Sequence, residues 1–117
     1  DIAPFPDPYH SPDIRIDPFS RLLPTAAFYA RTFSIVCQAA WHTRKGYSMA
    51  KWAADSKTFM RYAEATGIRF HIENASAFSR LDGPCVVVAN HMSTMETFCM
   101  PGILGTQRPF AFVLTAR

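Results

Sequence analysis

The sequence predicts an α/β chain: an amino-terminal helical hairpin followed by the first βαβ part of a mixed sheet. Three observations carry this. Residues 25–67 hold two helical periodicities separated by Gly46. Cys85-Val86-Val87-Val88-Ala89 is a short, β-branched apolar run of the kind that sits buried in a sheet. Phe110-Ala111-Phe112-Val113-Leu114 is a second such run, with helix-compatible sequence between the two. The chain has 117 residues, which suits one domain. With 49% hydrophobic and 18% charged residues it has the composition of a chain that builds a core. The expected division is an arm over residues 1–24 and a single α/β domain over 25–117. Within that domain the hairpin takes 25–67 and the strand-loop-helix-strand unit takes 68–117.

The arm comes first. Six of the nine prolines lie in it: Pro4, Pro6, Pro8, Pro12, Pro18 and Pro24. Proline fixes φ and removes a hydrogen-bond donor, so the reading here is an extended arm without a helix or a central strand. Its acidity and its lack of an apolar stretch exclude a secretory signal. Phe5, Tyr9 and Phe19 are candidates to pin it to the domain.

Thr25 is placed to cap a helix from Ala26 to Trp41. That helix is apolar around most of its circumference, with Arg31 its only charge. Such a helix is buried or lies at a bilayer interface. Spanning a bilayer would carry Arg31 near the centre, at about 3 kcal/mol. A second helix is expected from Ser48 to Thr66, with Met49, Trp52, Ala53, Phe59, Met60 and Ala63 on its apolar side and Gly67 as its stop. The charge pattern marks the same region. Residues 1–20 carry a net −3, residues 21–69 a net +6, and residues 70–117 none. The basic, aromatic middle points to core packing on one face and an anionic membrane surface on another.

Ile68 to Glu73 alternates apolar and polar, as a half-exposed strand does. Asp82-Gly83-Pro84 marks a turn. The run from Cys85 to Ala89 follows, then Asn90-His91-Met92-Ser93-Thr94-Met95-Glu96. In a βαβ unit the natural site lies at the carboxyl end of the first strand, where His91 stands. With Ser93 as N-cap, His91 is on the loop and Glu96 in the first helical turn. The loop can then fold the imidazole over the carboxylate. A carboxylate on one ring nitrogen makes the other a better base toward a hydroxyl. The same spacing, Ser93-Thr94-Met95-Glu96, is also a capping box, in which Glu96 bonds back to the Ser93 backbone. Both readings stand at this level.

Residues Val86 to Glu96 resemble the first block of the glycerolipid acyltransferases, the lysophospholipid or 1-acylglycerol-3-phosphate acyltransferase superfamily. That block reads N-H-x-S-x-x-D after an apolar strand. Asn90, His91 and Ser93 match, and Glu96 stands where the family has Asp. The resemblance spans roughly residues 45–117. It implies transfer of an acyl group from acyl-CoA or acyl-carrier protein, as co-substrate, to a lysophospholipid or glycerol phosphate hydroxyl. His91 would be the general base and Glu96 its support. Asn90 and Ser93 would hold the loop, and Arg117 would stand on the substrate side at the start of the second block. No cofactor is implied. The setting implied is the cytoplasmic face of a membrane, with peripheral or interfacial attachment. The family's later F-P-E-G-like run has no counterpart here. The expectation is therefore an incomplete acyltransferase domain, with little activity in this chain and activity in a longer parent.

Other chemistries fit poorly. Cys37, Cys85 and Cys99 form no CxxC pair and give an odd count, which points to a reducing compartment. Cys85 reads as a small core residue and Cys99 has no histidine spaced to activate it. His10, His42, His71 and His91 show no metal-ligand spacing. The basic middle carries no nucleic-acid motif. The competing class is a non-catalytic membrane- or protein-binding module in which Ser93 and Glu96 only cap a helix.

Overall fold

The computed structural model describes residues 5–44, 46–90 and 92–113. It is a mixed, mainly helical structure with one small antiparallel sheet. The elements run β1 (Tyr9–His10), α1 (Pro18–Leu22), α2 (Pro24–Thr43), α3 (Met49–Ala65), β2 (His71–Ile72), a 3-10 helix (Ala75–Arg80) and α4 (Met95–Leu104).

The arm is more structured than its prolines predict. Asp17 caps α1 by accepting from the Ser20 amide at 2.9 Å, and Pro18 takes the first helical position. Proline is tolerated there because that N–H has no partner inside the helix in any case. Pro24 plays the same part in α2, so that helix begins before Thr25 and Thr25 is not its cap. Earlier in the arm, Tyr9 pairs with Ile72 and His10 with His71, antiparallel. The Ser11 amide donates to Phe70 O at 3.0 Å, and the Phe70 amide to Ser11 Oγ at 2.7 Å. Both Tyr9 and Ser11 donate their hydroxyls to Glu64 Oε1 at 2.6 Å. Glu64 is a fully buried carboxylate on α3, and the arm supplies the donors that make its burial tolerable.

Helix α3 follows its sequence signals closely. Ser48 caps it by accepting from the Lys51 amide at 3.2 Å. It ends where Gly67 adopts φ +104°, with Gly67 N bonded to Glu64 O and Ile68 N to Ala63 O. This is the Schellman pattern that a left-handed glycine permits. Ala53, Phe59, Met60 and Ala63 are buried along one stripe, as the periodicity predicts. The core gathers on that stripe. Phe59 stacks on Phe98 of α4 at 4.9 Å and meets Phe28 of α2 edge-on at 5.9 Å, with Phe5, Ile35, Met60 and Cys99 around them.

The expected βαβ unit over 68–117 does not form among the described residues. β2 holds two residues, and its partner is the arm. Residues 85–90 and 110–113 have no strand structure. Val86 and Val88 are 89% and 91% exposed, and Cys85 is exposed rather than a core residue. β-Branched composition favours a pleated, packed surface; it does not supply the neighbouring strand whose backbone groups complete a ladder. Without that neighbour the run stays open. Phe110 and Phe112 pack on Trp52 of α3 instead, at 5.2 and 5.6 Å.

Candidate functional site

The described part of the Asn90–Glu96 run is a loop entering a helix. Asn90 and Met92 are exposed. Thr94 precedes α4, and Glu96 lies in its first turn, where the positive end of the helix dipole favours a carboxylate. Ser93 and Glu96 come together. The Ser93 amide donates to Glu96 Oε1 at 3.2 Å and the Ser93 hydroxyl to Glu96 Oε2 at 3.1 Å. The Met95 amide donates to Ser93 Oγ at 3.0 Å. Both carboxylate oxygens are thus held on Ser93. His91 and Arg117 lie outside the described residues.

The helix behind this loop is anchored by a residue the sequence reading passed over. α4 contains Pro101, which removes one backbone donor and pushes against the preceding turn. Ser56, buried on α3, repairs the break. Its hydroxyl lies against Phe98 O and Cys99 O and accepts from the Gly102 amide at 2.8 Å. Gly102 is required there, because a Cβ on it would sit 2.8 Å from Ser56 Oγ. Pro-Gly inside an otherwise apolar helix is the signal that a polar partner must come from elsewhere.

Comparison with protein-family models, with curated proteins and with solved structures finds no match to this chain.

Beside α4 an open groove of about 490 Å³ lies between α2 and α3. Ile35, Val36, Ala39 and Ala40 form one wall, Tyr47, Trp52 and Ser56 the other, and Phe98 joins from α4. Its polar end is a closed set: Tyr47 donates to Asp55 Oδ2 at 2.8 Å, and Lys51 pairs with Asp55 Oδ1. Desolvation, with Asp55 second, pushes the Tyr47 hydroxyl well above the ordinary phenol range. Cys99 is buried, and desolvation, with the nearby Glu96 charge second, pushes its thiol up to about 12. It is therefore a protonated core residue and no nucleophile. Among the described residues no three His, Cys, Asp or Glu side chains gather as a metal site. No described helix is long and apolar enough to cross a membrane.

Proposed function

We propose that this chain carries the base-bearing part of a glycerolipid acyltransferase acting at a membrane surface. In this reading His91 removes the proton from a lysophospholipid or glycerol phosphate hydroxyl. The oxygen attacks the thioester carbonyl of acyl-CoA or acyl-carrier protein. The carbon–sulfur bond breaks, an ester forms, and the proton passes from His91 to the leaving thiolate. Glu96 orients the imidazole, Asn90 and Ser93 shape the loop, and Arg117 stands on the substrate side. The hairpin over 25–67 and the acyltransferase character of the domain belong to the same proposal. The observation that carries it is the pair of hydrogen bonds that join Ser93 and Glu96 of the N-H-x-S-x-x-E run.

A protein containing these residues, incubated with acyl-CoA and a lysophospholipid, is expected to form the diacyl product. His91→Ala is expected to abolish turnover and Glu96→Asp to retain it. Undiminished activity in His91→Ala overturns the reading. The bond from the Ser93 amide to Glu96 also works as the returning arm of a cap at the start of α4, whose N-cap is Thr94 rather than the expected Ser93. That favours the second reading, a non-catalytic membrane-surface or protein-binding module. For it, Ser93→Ala and Glu96→Gln lower helix stability and no lysophospholipid is acylated.

A further inference from the structure

Helix α2 buries one face and leaves the other apolar and uncovered. Tyr29 and Phe33 are 66% and 69% exposed, and Val36, Cys37 and Ala40 continue the line at spacings of three or four residues, Val36 and Ala40 also lining the open groove beside α3. Trp41, 65% exposed, stands one step around the helix near its end. Scattered surface apolar groups are ordinary, but a continuous row of large ones marks a contact surface.

The one charge inside α2 is turned away from this row. Arg31 donates to Asp17 Oδ2 at 2.8 Å and to Ser20 Oγ at 3.0 Å, and lies 5.8 Å from the Tyr62 ring. The remaining charges are of one sign. Residues 18–54 contain no Asp or Glu, while Arg21 and Arg44 stand exposed at the two ends. Pairing this face with a second copy of itself would bring only cations to the rim, with no carboxylate within the segment to meet them. A surface with phosphates supplies the missing charge and also accepts the apolar row. Tyr29 and Trp41 suit its headgroup level, because each has an apolar body and a polar tip.

We propose that the outward face of α2 lies flat on an anionic phospholipid bilayer. Tyr29, Phe33, Val36 and Trp41 enter the interface, and Arg44 reaches the lipid phosphates along its apolar stem. Of the two tryptophans in the basic, aromatic middle, Trp41 is the one free for this surface, because Trp52 is packed under Phe110 and Phe112. This deepens the membrane setting proposed above. Vesicle binding needs no turnover, and turnover of a soluble short-chain acceptor needs no docking, so either can fail alone.

The test is flotation of the full chain with vesicles of phosphatidylcholine alone or mixed equally with phosphatidylglycerol. Binding is expected on the mixed vesicles, weakening between about 0.05 and 0.5 M salt. Phe33→Asp is expected to lower it on the order of tenfold or more. Arg44→Gln is expected to lower it about fivefold, on mixed vesicles only. In Trp52→Phe, where Trp41 is the remaining tryptophan, emission is expected to shift blue on the mixed vesicles. Circular dichroism establishes that each variant is folded, and Leu81→Asp, an exposed apolar site elsewhere, is expected to bind as the parent does. Absence of vesicle binding, equal binding by folded Phe33→Asp, or a solution dimer that Phe33→Asp dissociates without any vesicle binding overturns the proposal.

Discussion

Replacing Ser56 by alanine tests how α4, and the candidate loop before it, is held. The hydroxyl is buried and serves three backbone groups: Phe98 O, Cys99 O and Gly102 N. Alanine keeps the packing volume nearly unchanged and removes that partner. A buried donor or acceptor left without one costs about 1–3 kcal/mol. Relaxation that lets Gly102 N reach Phe98 O directly recovers part of the loss, so about 2 kcal/mol is the expected net. In a chain this size that lowers the melting midpoint by roughly 6–12 °C. Thr58→Ala on the same helix is the control. Its hydroxyl bonds the Ala54 carbonyl at the exposed surface, and the change is expected to stay within about 0.5 kcal/mol. Hydrogen exchange supplies a local readout: the Gly102 amide is expected to exchange faster in Ser56→Ala. A double cycle with Gly102→Ala adds a coupling test. The new Cβ clashes with Ser56 Oγ at 2.8 Å but meets Ser56 Cβ only at 3.2 Å, so its cost falls when the hydroxyl is gone. A loss under about 0.5 kcal/mol with unchanged Gly102 exchange would refute this account of the helix.

Further predictions follow from the arm and the thiols. Asp17 is held well below the usual carboxylate range, chiefly by the Ser20 hydroxyl, then by the Ser20 amide and Arg31. A depressed folded pKa stabilises above the unfolded value near 3.9, and that contribution fades as pH falls from there toward the lower folded value. Thermal melts are expected to show this acid loss in the parent and less of it in Asp17→Asn. Tyr9→Phe removes a charged hydrogen bond to buried Glu64 and is expected to cost about 1.5–3 kcal/mol, with faster proteolysis of the arm. Intact chain is expected to react with a thiol reagent at exposed Cys37 and Cys85, while Cys99 reacts only after denaturation. Fast labelling of Cys99 in the native state would contradict its burial.

Signals confined to a few neighbouring residues were legible. Ser48 at the start of α3 and Gly67 at its end act as read, because capping and left-handed turns involve backbone groups within a handful of positions. The apolar stripe of α3 was equally legible, since its period reports which face turns inward. The arm was misread in part. Proline counts argued against helix, yet Pro18 and Pro24 occupy the first turns of α1 and α2, where proline costs nothing. In the candidate site, Ser93 and Glu96 meet as their spacing suggested, while His91 and Arg117 fall outside the described residues. Ser56 was invisible, because its partners lie more than 40 positions away.

The amino-acid order alone determined where α3 begins and ends, which of its sides is buried, and that residues 18–54 contain no carboxylate of their own. These properties depend on local backbone chemistry and composition. Tertiary structure decided the rest. It turned Arg31 inward onto Asp17, gave Glu64 its two hydroxyl donors, set Ser56 against the break at Pro101, and left the α2 face and the valine run uncovered. An apolar run states only that burial is favourable; whether it is buried depends on which distant segment supplies the facing surface and the backbone partners.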